Sequence, residues 1–134
     1  MPIISEEDYD KLKQCGIDFE EDEQQRFFVF KNYALPTDVY QVASCDILVV
    51  IPPNYNQAGN DMFWTLPRLN RADGKGIPQT SNLGDGDNRK YRDQEFCRWS
   101  RHWQKEGNAW RAGRDDIISI QRRIEWALNH PDAQ

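Results

Sequence analysis

Histidine and cysteine are scarce in this chain. Among its 134 residues are two of the former, His102 and His130, and three of the latter, Cys15, Cys45 and Cys97. No two cysteines form a CxxC pair and neither histidine has a partner at ligand spacing, so no metal site is expected. An odd number of widely spaced thiols argues against a disulfide framework and for a reduced, cytoplasmic setting. Long hydrophobic runs are missing too. Nothing approaches the ~18 apolar residues of a membrane span, and the acidic opening MPIISEEDYD lacks the pattern of a signal peptide. No membrane partner is therefore expected. The chain also lacks an excess of positive charge. Its net charge of −5 argues against a non-specific nucleic-acid binder, which needs a cationic surface, and leaves open only a local basic patch among the arginines of residues 89–123. Neither a dinucleotide fingerprint nor a phosphate-binding P-loop occurs, and Asp73-Gly74-Lys75-Gly76 is only a glycine-rich turn.

What is present suits one α+β domain spanning residues 1–134. Ser5 to Gln14 is expected to be a first helix, capped by Ser5 with Asp8 three residues on and stopped at Gly16. Ile17 and Phe19 alternate as in a short edge strand, and Glu20 to Glu23 is expected to be a charged turn. A second strand runs from Arg26 to Leu35. The continuous apolar run Cys45 to Ile51 predicts a third, central and covered on both faces, with Cys45 a small core residue. A fourth spans Asp61 to Leu66, closed by Pro67. Together these predict a four-stranded antiparallel meander. Residues 70–95 then read as a long irregular loop, of the kind that is functional when it occurs inside a compact domain. Ile117, Ile120, Ile124 and Leu128 mark the inner stripe of a last helix over residues 115–129. Arg122, Arg123 and Glu125 fall on its wet side. Trp126 projects away from the stripe, toward a second layer or a partner.

Between loop and last helix lies Phe96-Cys97-Arg98-Trp99-Ser100-Arg101-His102-Trp103. As a helix it would bury Phe96, Trp99 and Trp103 on one stripe and put Cys97, Ser100 and Arg101 on another flank. A turn follows at 104–108, and Trp110 returns to the body. The eight residues hold a thiol, a hydroxyl and an imidazole, the parts needed for nucleophilic acyl transfer. Cys97 is the stronger nucleophile, with Arg98 and Arg101 expected to lower its pKa. Ser100 needs a base, and His102 is two residues away.

Four stretches occur in order: Ile51-Pro52-Pro53-Asn54-Tyr55, Asp61-Met62-Phe63-Trp64-Thr65-Leu66-Pro67, Trp99-Ser100-Arg101-His102, and Trp110-Arg111-Ala112-Gly113 before a helix. In this arrangement the chain resembles the ubiquitin-conjugating enzyme superfamily along nearly its whole length, and most closely its bacterial branch, prokaryotic family E. The resemblance implies a UBC-like fold: an N-terminal helix, a four-stranded meander, a long active-site segment and a C-terminal helix. It implies an acyltransferase that accepts the C-terminus of a ubiquitin-like protein from an adenylating activating enzyme and passes it to an amine of a protein substrate. No cofactor is implied, because ATP is spent by the activating enzyme. The superfamily's His-Pro-Asn motif is absent here. Counting back from Trp110, the superfamily's spacing lands on Ser100, whereas reactivity favours Cys97. The acyl group is therefore expected on Ser100, with His102 as its base, or on Cys97, as an oxyester or a thioester. The 70–95 loop would line the groove for the ubiquitin-like tail. A catalytically inactive scaffold that holds a ubiquitin-like protein or activating enzyme is the alternative.

Overall fold

The computed structural model describes residues 2–103 and 109–133; the turn expected at 104–108 lies outside them. Helix α1 spans Glu6–Gln14 and α2 spans Ile117–Asn129. Among the described residues six strands lie between them: β1 (Phe19–Asp22), β2 (Phe27–Ala34), β3 (Ser44–Val50), β4 (Phe63–Leu66), β5 (Arg89–Tyr91) and β6 (Gln94–Trp99). Every pairing is antiparallel, in the order β1-β2-β3-β4-β6-β5. The α+β class is as expected. The strand count is not: six, where the sequence suggested four. Among the described residues no helix is long and apolar enough to cross a membrane.

Two separate apolar layers explain the continuous runs of β2 and β3. Phe28, Phe30, Ile47, Val49, Phe63 and Trp99 meet Leu12 of α1 and Ile117, Ile120, Ile124 and Leu128 of α2. Phe27, Val29, Leu48 and Trp64 meet Tyr91 and Phe96 on the opposite face. Alternation along each strand thus feeds apolar groups to both sides. Tyr91, at one end of the strand order, donates its hydroxyl proton to Glu20 on β1 at the other (2.9 Å). The β5–β6 end therefore curls back over the face that the helices leave open.

Three local expectations need correction. Glu20 to Asp22 belong to β1, because Phe19 pairs with Phe30 and the register carries on to Asp22 opposite Phe27; the turn follows at residues 23–26. Glu20 and Glu21 accept bonds from Tyr91 and Tyr9 there. The 70–95 segment is not a free loop. It contains β5 and the start of β6, and Thr80 bridges Trp99. A glycine linker in its place would remove an edge of the sheet. Arg123 is not on the wet side but half-buried, its guanidinium 5.5 Å from the Trp103 ring and 5.3 Å from that of Trp110. Trp126 remains 53% exposed and stacks on His130, with ring centroids 4.2 Å apart.

The α1 cap forms as the sequence indicates, and α2 has one that the sequence reading did not name. Ser5 and Asp8 make a capping box on α1, and Asp116 with Ser119 makes one on α2. Asp8 does more than cap. Only 2% exposed, its carboxylate accepts from the Tyr55 hydroxyl (2.8 Å) and from the Ile117 backbone N–H (3.3 Å). One side chain thus ties α1 to the segment after β3 and to the start of α2. Asp8→Ala leaves those two donors unpaired, a cost of about 1–3 kcal/mol. A thermal melt is expected to show Tm lowered by roughly 5–10 °C.

Candidate active site

The eight-residue stretch that the sequence singles out is a strand with a tail, not a helix. Phe96 faces the β5 side of the sheet and Trp99 the helix side, which is why the rings fit no single period. Trp99 is 1% exposed and stacks on Phe63, with centroids 5.2 Å apart. Ser100 follows directly. Its backbone N–H donates to the Gln79 carbonyl (2.9 Å), and Ser81 donates to the Arg98 carbonyl (3.0 Å). Residues 79–81 therefore splint the end of β6. Part of the 70–95 segment lies beside the site in this way, although as a structural edge.

Beyond β6 the chain leaves the sheet, and three polar side chains line up. Ser100 Oγ is 3.3 Å from His102 Nε2. His102 Nδ1 is 2.6 Å from Asp61 Oδ1. A carboxylate can only accept, so Nδ1 carries the proton and the Nε2 lone pair faces the serine hydroxyl. Both His102 and Asp61 are about half exposed, with side-chain exposures of 52% and 51%. The row is a hydroxyl, a base and a carboxylate that fixes the base's tautomer, the arrangement that activates a serine nucleophile.

Asp61 is the member that the sequence did not single out. It stands just before β4, and β4 pairs with β6 through Phe63 opposite Trp99. One step past that rung, the Met62 N–H donates to the Arg101 carbonyl (3.0 Å), which holds residues 60–62 against 100–102. Asn60, itself buried, donates to the Met62 carbonyl (3.0 Å). A signal was available: Asp61 is the sole acid between Asp46 and Asp73, and it leads into the strand that borders the reactive stretch.

The other two candidates sit differently. Cys97 is 1% exposed, opposite Thr65 in the sheet, with Sγ 3.8 Å from Asn88 Nδ2. Burial raises its pKa, the Glu95 carboxylate adds to the rise, and Arg68 offsets it in part. The expected lowering by Arg98 and Arg101 is not found. Arg98 pairs with Asp87, and Arg101 folds back over the Trp99 ring, 4.9 Å from its centroid. Arg101 is itself buried, donates to the Pro78 carbonyl (3.0 Å), and has its pKa lowered by desolvation. It is a packing group under Ser100, not a free cation at the surface. Cys45 is a core residue, its thiol pushed up to about 12 by burial. Among the described residues no group of three metal-ligating side chains is close enough to hold an ion.

Two of the quoted motif stretches meet behind the site. The Trp110 indole N–H donates to the Asn56 carbonyl (2.7 Å), and its ring lies 5.9 Å from that of Tyr55. Gly59 lies flat under that ring: a Cβ there would be 2.2 Å from it. The indole cannot swing aside, because Asn56 and the Arg123 guanidinium hold it. Gly59→Ala is expected to cost about 1–3 kcal/mol by overpacking. Thermal melting and a shift in tryptophan fluorescence would register it.

The fold and the site thus define an α+β protein with a partly exposed hydroxyl–imidazole–carboxylate row at the end of a sheet strand. The model of prokaryotic E2 family E matches residues 4–131, so the chain belongs to that family. No curated protein and no solved structure matches it. Membership carries a ubiquitin-conjugating-like role in general terms, with ubiquitin-like proteins and activating enzymes as the kinds of partner.

Proposed function

We propose that the chain is a conjugating enzyme that carries the C-terminal acyl group of a ubiquitin-like protein as an oxyester on Ser100. The observation that carries this reading is the half-buried Ser100 hydroxyl facing His102 Nε2 at 3.3 Å, while the Cys97 thiol is buried. His102 takes the hydroxyl proton as Ser100 Oγ attacks the carbonyl of the activated C-terminus. The tetrahedral intermediate collapses, the activating enzyme's leaving group departs with the proton from His102, and an ester remains. In the second half an amine of the protein substrate attacks that ester. His102 accepts the amine's proton and returns it to Ser100, and an amide is released. No bound cofactor takes part.

Intact mass tests this after incubation with the cognate activating enzyme, ubiquitin-like protein and ATP. The sample is split between thiol reductant and hydroxide. An adduct that resists reductant and falls to hydroxide supports Ser100 as carrier. Release by reductant transfers the role to Cys97. No adduct, with partners shown to be active, selects the scaffold reading.

A further inference from the structure

The row at Ser100 contains nothing that demands a protein as acyl donor. Its parts are local and held without a partner. Ser100 is pinned by the Gln79 carbonyl and by the Trp99 ring before it. His102 precedes Trp103, whose ring lies between Phe63 (6.4 Å) and the Arg123 guanidinium (5.5 Å). Asp61 is bracketed by buried Asn60 and by the Met62–Arg101 bond. Groups fixed in advance by packing need little reorganisation when they react. His102 and Asp61 are also half exposed, so water reaches the same base that serves the serine.

We infer that Ser100, His102 and Asp61 form a self-sufficient relay that acylates Ser100 from small activated carboxylic esters and then hydrolyses the acyl-serine. The proposal shares its site with the function proposed above but requires none of those partners. In the first half Ser100 Oγ forms a bond to the ester carbonyl carbon and His102 Nε2 takes its proton. The bond to the leaving phenolate breaks, and the phenol departs with that proton. In the second half water attacks the acyl-serine carbonyl and gives a proton to Nε2. The bond to Oγ breaks, Ser100 regains the proton, and a free carboxylic acid leaves. Nothing is oxidised or reduced. Asp61 contacts neither the ester nor the water molecule that attacks. It is a positioning residue: it holds the Nδ1–H tautomer and balances the imidazolium charge that appears in each half.

The test uses the full chain with Cys15→Ser, which removes the exposed thiol, and p-nitrophenyl acetate as the ester. A burst of about one equivalent of nitrophenol is expected, followed by slower turnover. Peptide mapping of the stopped reaction is expected to find the acetyl group on Ser100. Ser100→Ala removes burst and acetyl group together. Asp61→Asn lowers kcat by about 10²-fold, the low end of what losing a positioned base costs, with KM unchanged and a wild-type melt. An acetyl group that maps elsewhere, a burst that survives Ser100→Ala, or an unchanged kcat in Asp61→Asn overturns the relay. Its failure is separable from that of the conjugating function. Ester turnover without any ubiquitin-like adduct keeps the relay and removes the partner assignment. An adduct on Ser100 without ester turnover does the reverse.

Discussion

Ser100→Cys is expected to change the chemistry of the loaded intermediate while keeping its position. The wild-type adduct should resist thiol reductant and fall to hydroxide; the Ser100→Cys adduct should fall to reductant. Ser100→Ala should load nothing detectable, a loss of about 10³-fold or more when a nucleophile that works as a unit with its base is removed. The contrast follows from where the two nucleophiles sit. Sulfur in place of oxygen at 100 keeps the contact with His102 and adds intrinsic nucleophilicity. Cys97→Ala should load like wild type, because that thiol is buried beside Thr65 and its pKa is raised. It is a core truncation, so its melt must be followed in parallel. Loading that persists in Ser100→Ala and disappears in a folded Cys97→Ala would reverse the assignment.

The parts of the fold that could be read from sequence are those where one residue's neighbours along the chain decide its surroundings. The stripe Ile117, Ile120, Ile124 and Leu128 is buried throughout, and the Ser5–Asp8 box closes as its spacing indicates. What sequence concealed was decided across the sheet. Arg89-Lys90-Tyr91 has one apolar residue and little strand signal of its own, yet it pairs with Gln94 to Phe96 and brings Tyr91 into the buried cluster of Val29 and Leu48. Strand formation there is set by the partner, not by propensity. Phe96 and Trp99 break alternation because each of the two faces has its own apolar layer. Arg101 reads in sequence as a cation available to a thiol, but the Trp99 ring and the Pro78 carbonyl give its guanidinium a better place. Ser100 and His102 were visible as neighbours in sequence. Asp61, 41 residues from His102, required the β4–β6 register to be known.

The largest loss of stability is expected from Trp99→Ala. This indole is 1% exposed, stacks on Phe63 at 25° and 5.2 Å, and meets Tyr40 edge-on at 6.3 Å. Truncating a buried tryptophan costs about 3–5 kcal/mol through lost transfer free energy and the cavity left behind. Against a total of about 5–15 kcal/mol this is a large share. The cavity would open beneath Arg101, whose guanidinium is already desolvated and whose Nε is buried with no hydrogen-bond partner among the described residues. Only backbone contacts, to Phe63 and to residues 79–81, would then hold the residue immediately before Ser100 against the sheet. Thermal melts followed by near-UV circular dichroism should show Tm lowered by roughly 10–20 °C. Trp99→Phe keeps a ring on Phe63 and should recover most of that loss, together with acyl loading. The pair of variants separates packing from chemistry: Ser100→Ala should melt like wild type and load nothing, whereas Trp99→Phe should melt lower and still load. A Trp99→Ala variant that melts within a few degrees of wild type would show that the strand end is held by the Gln79 to Ser81 splint alone.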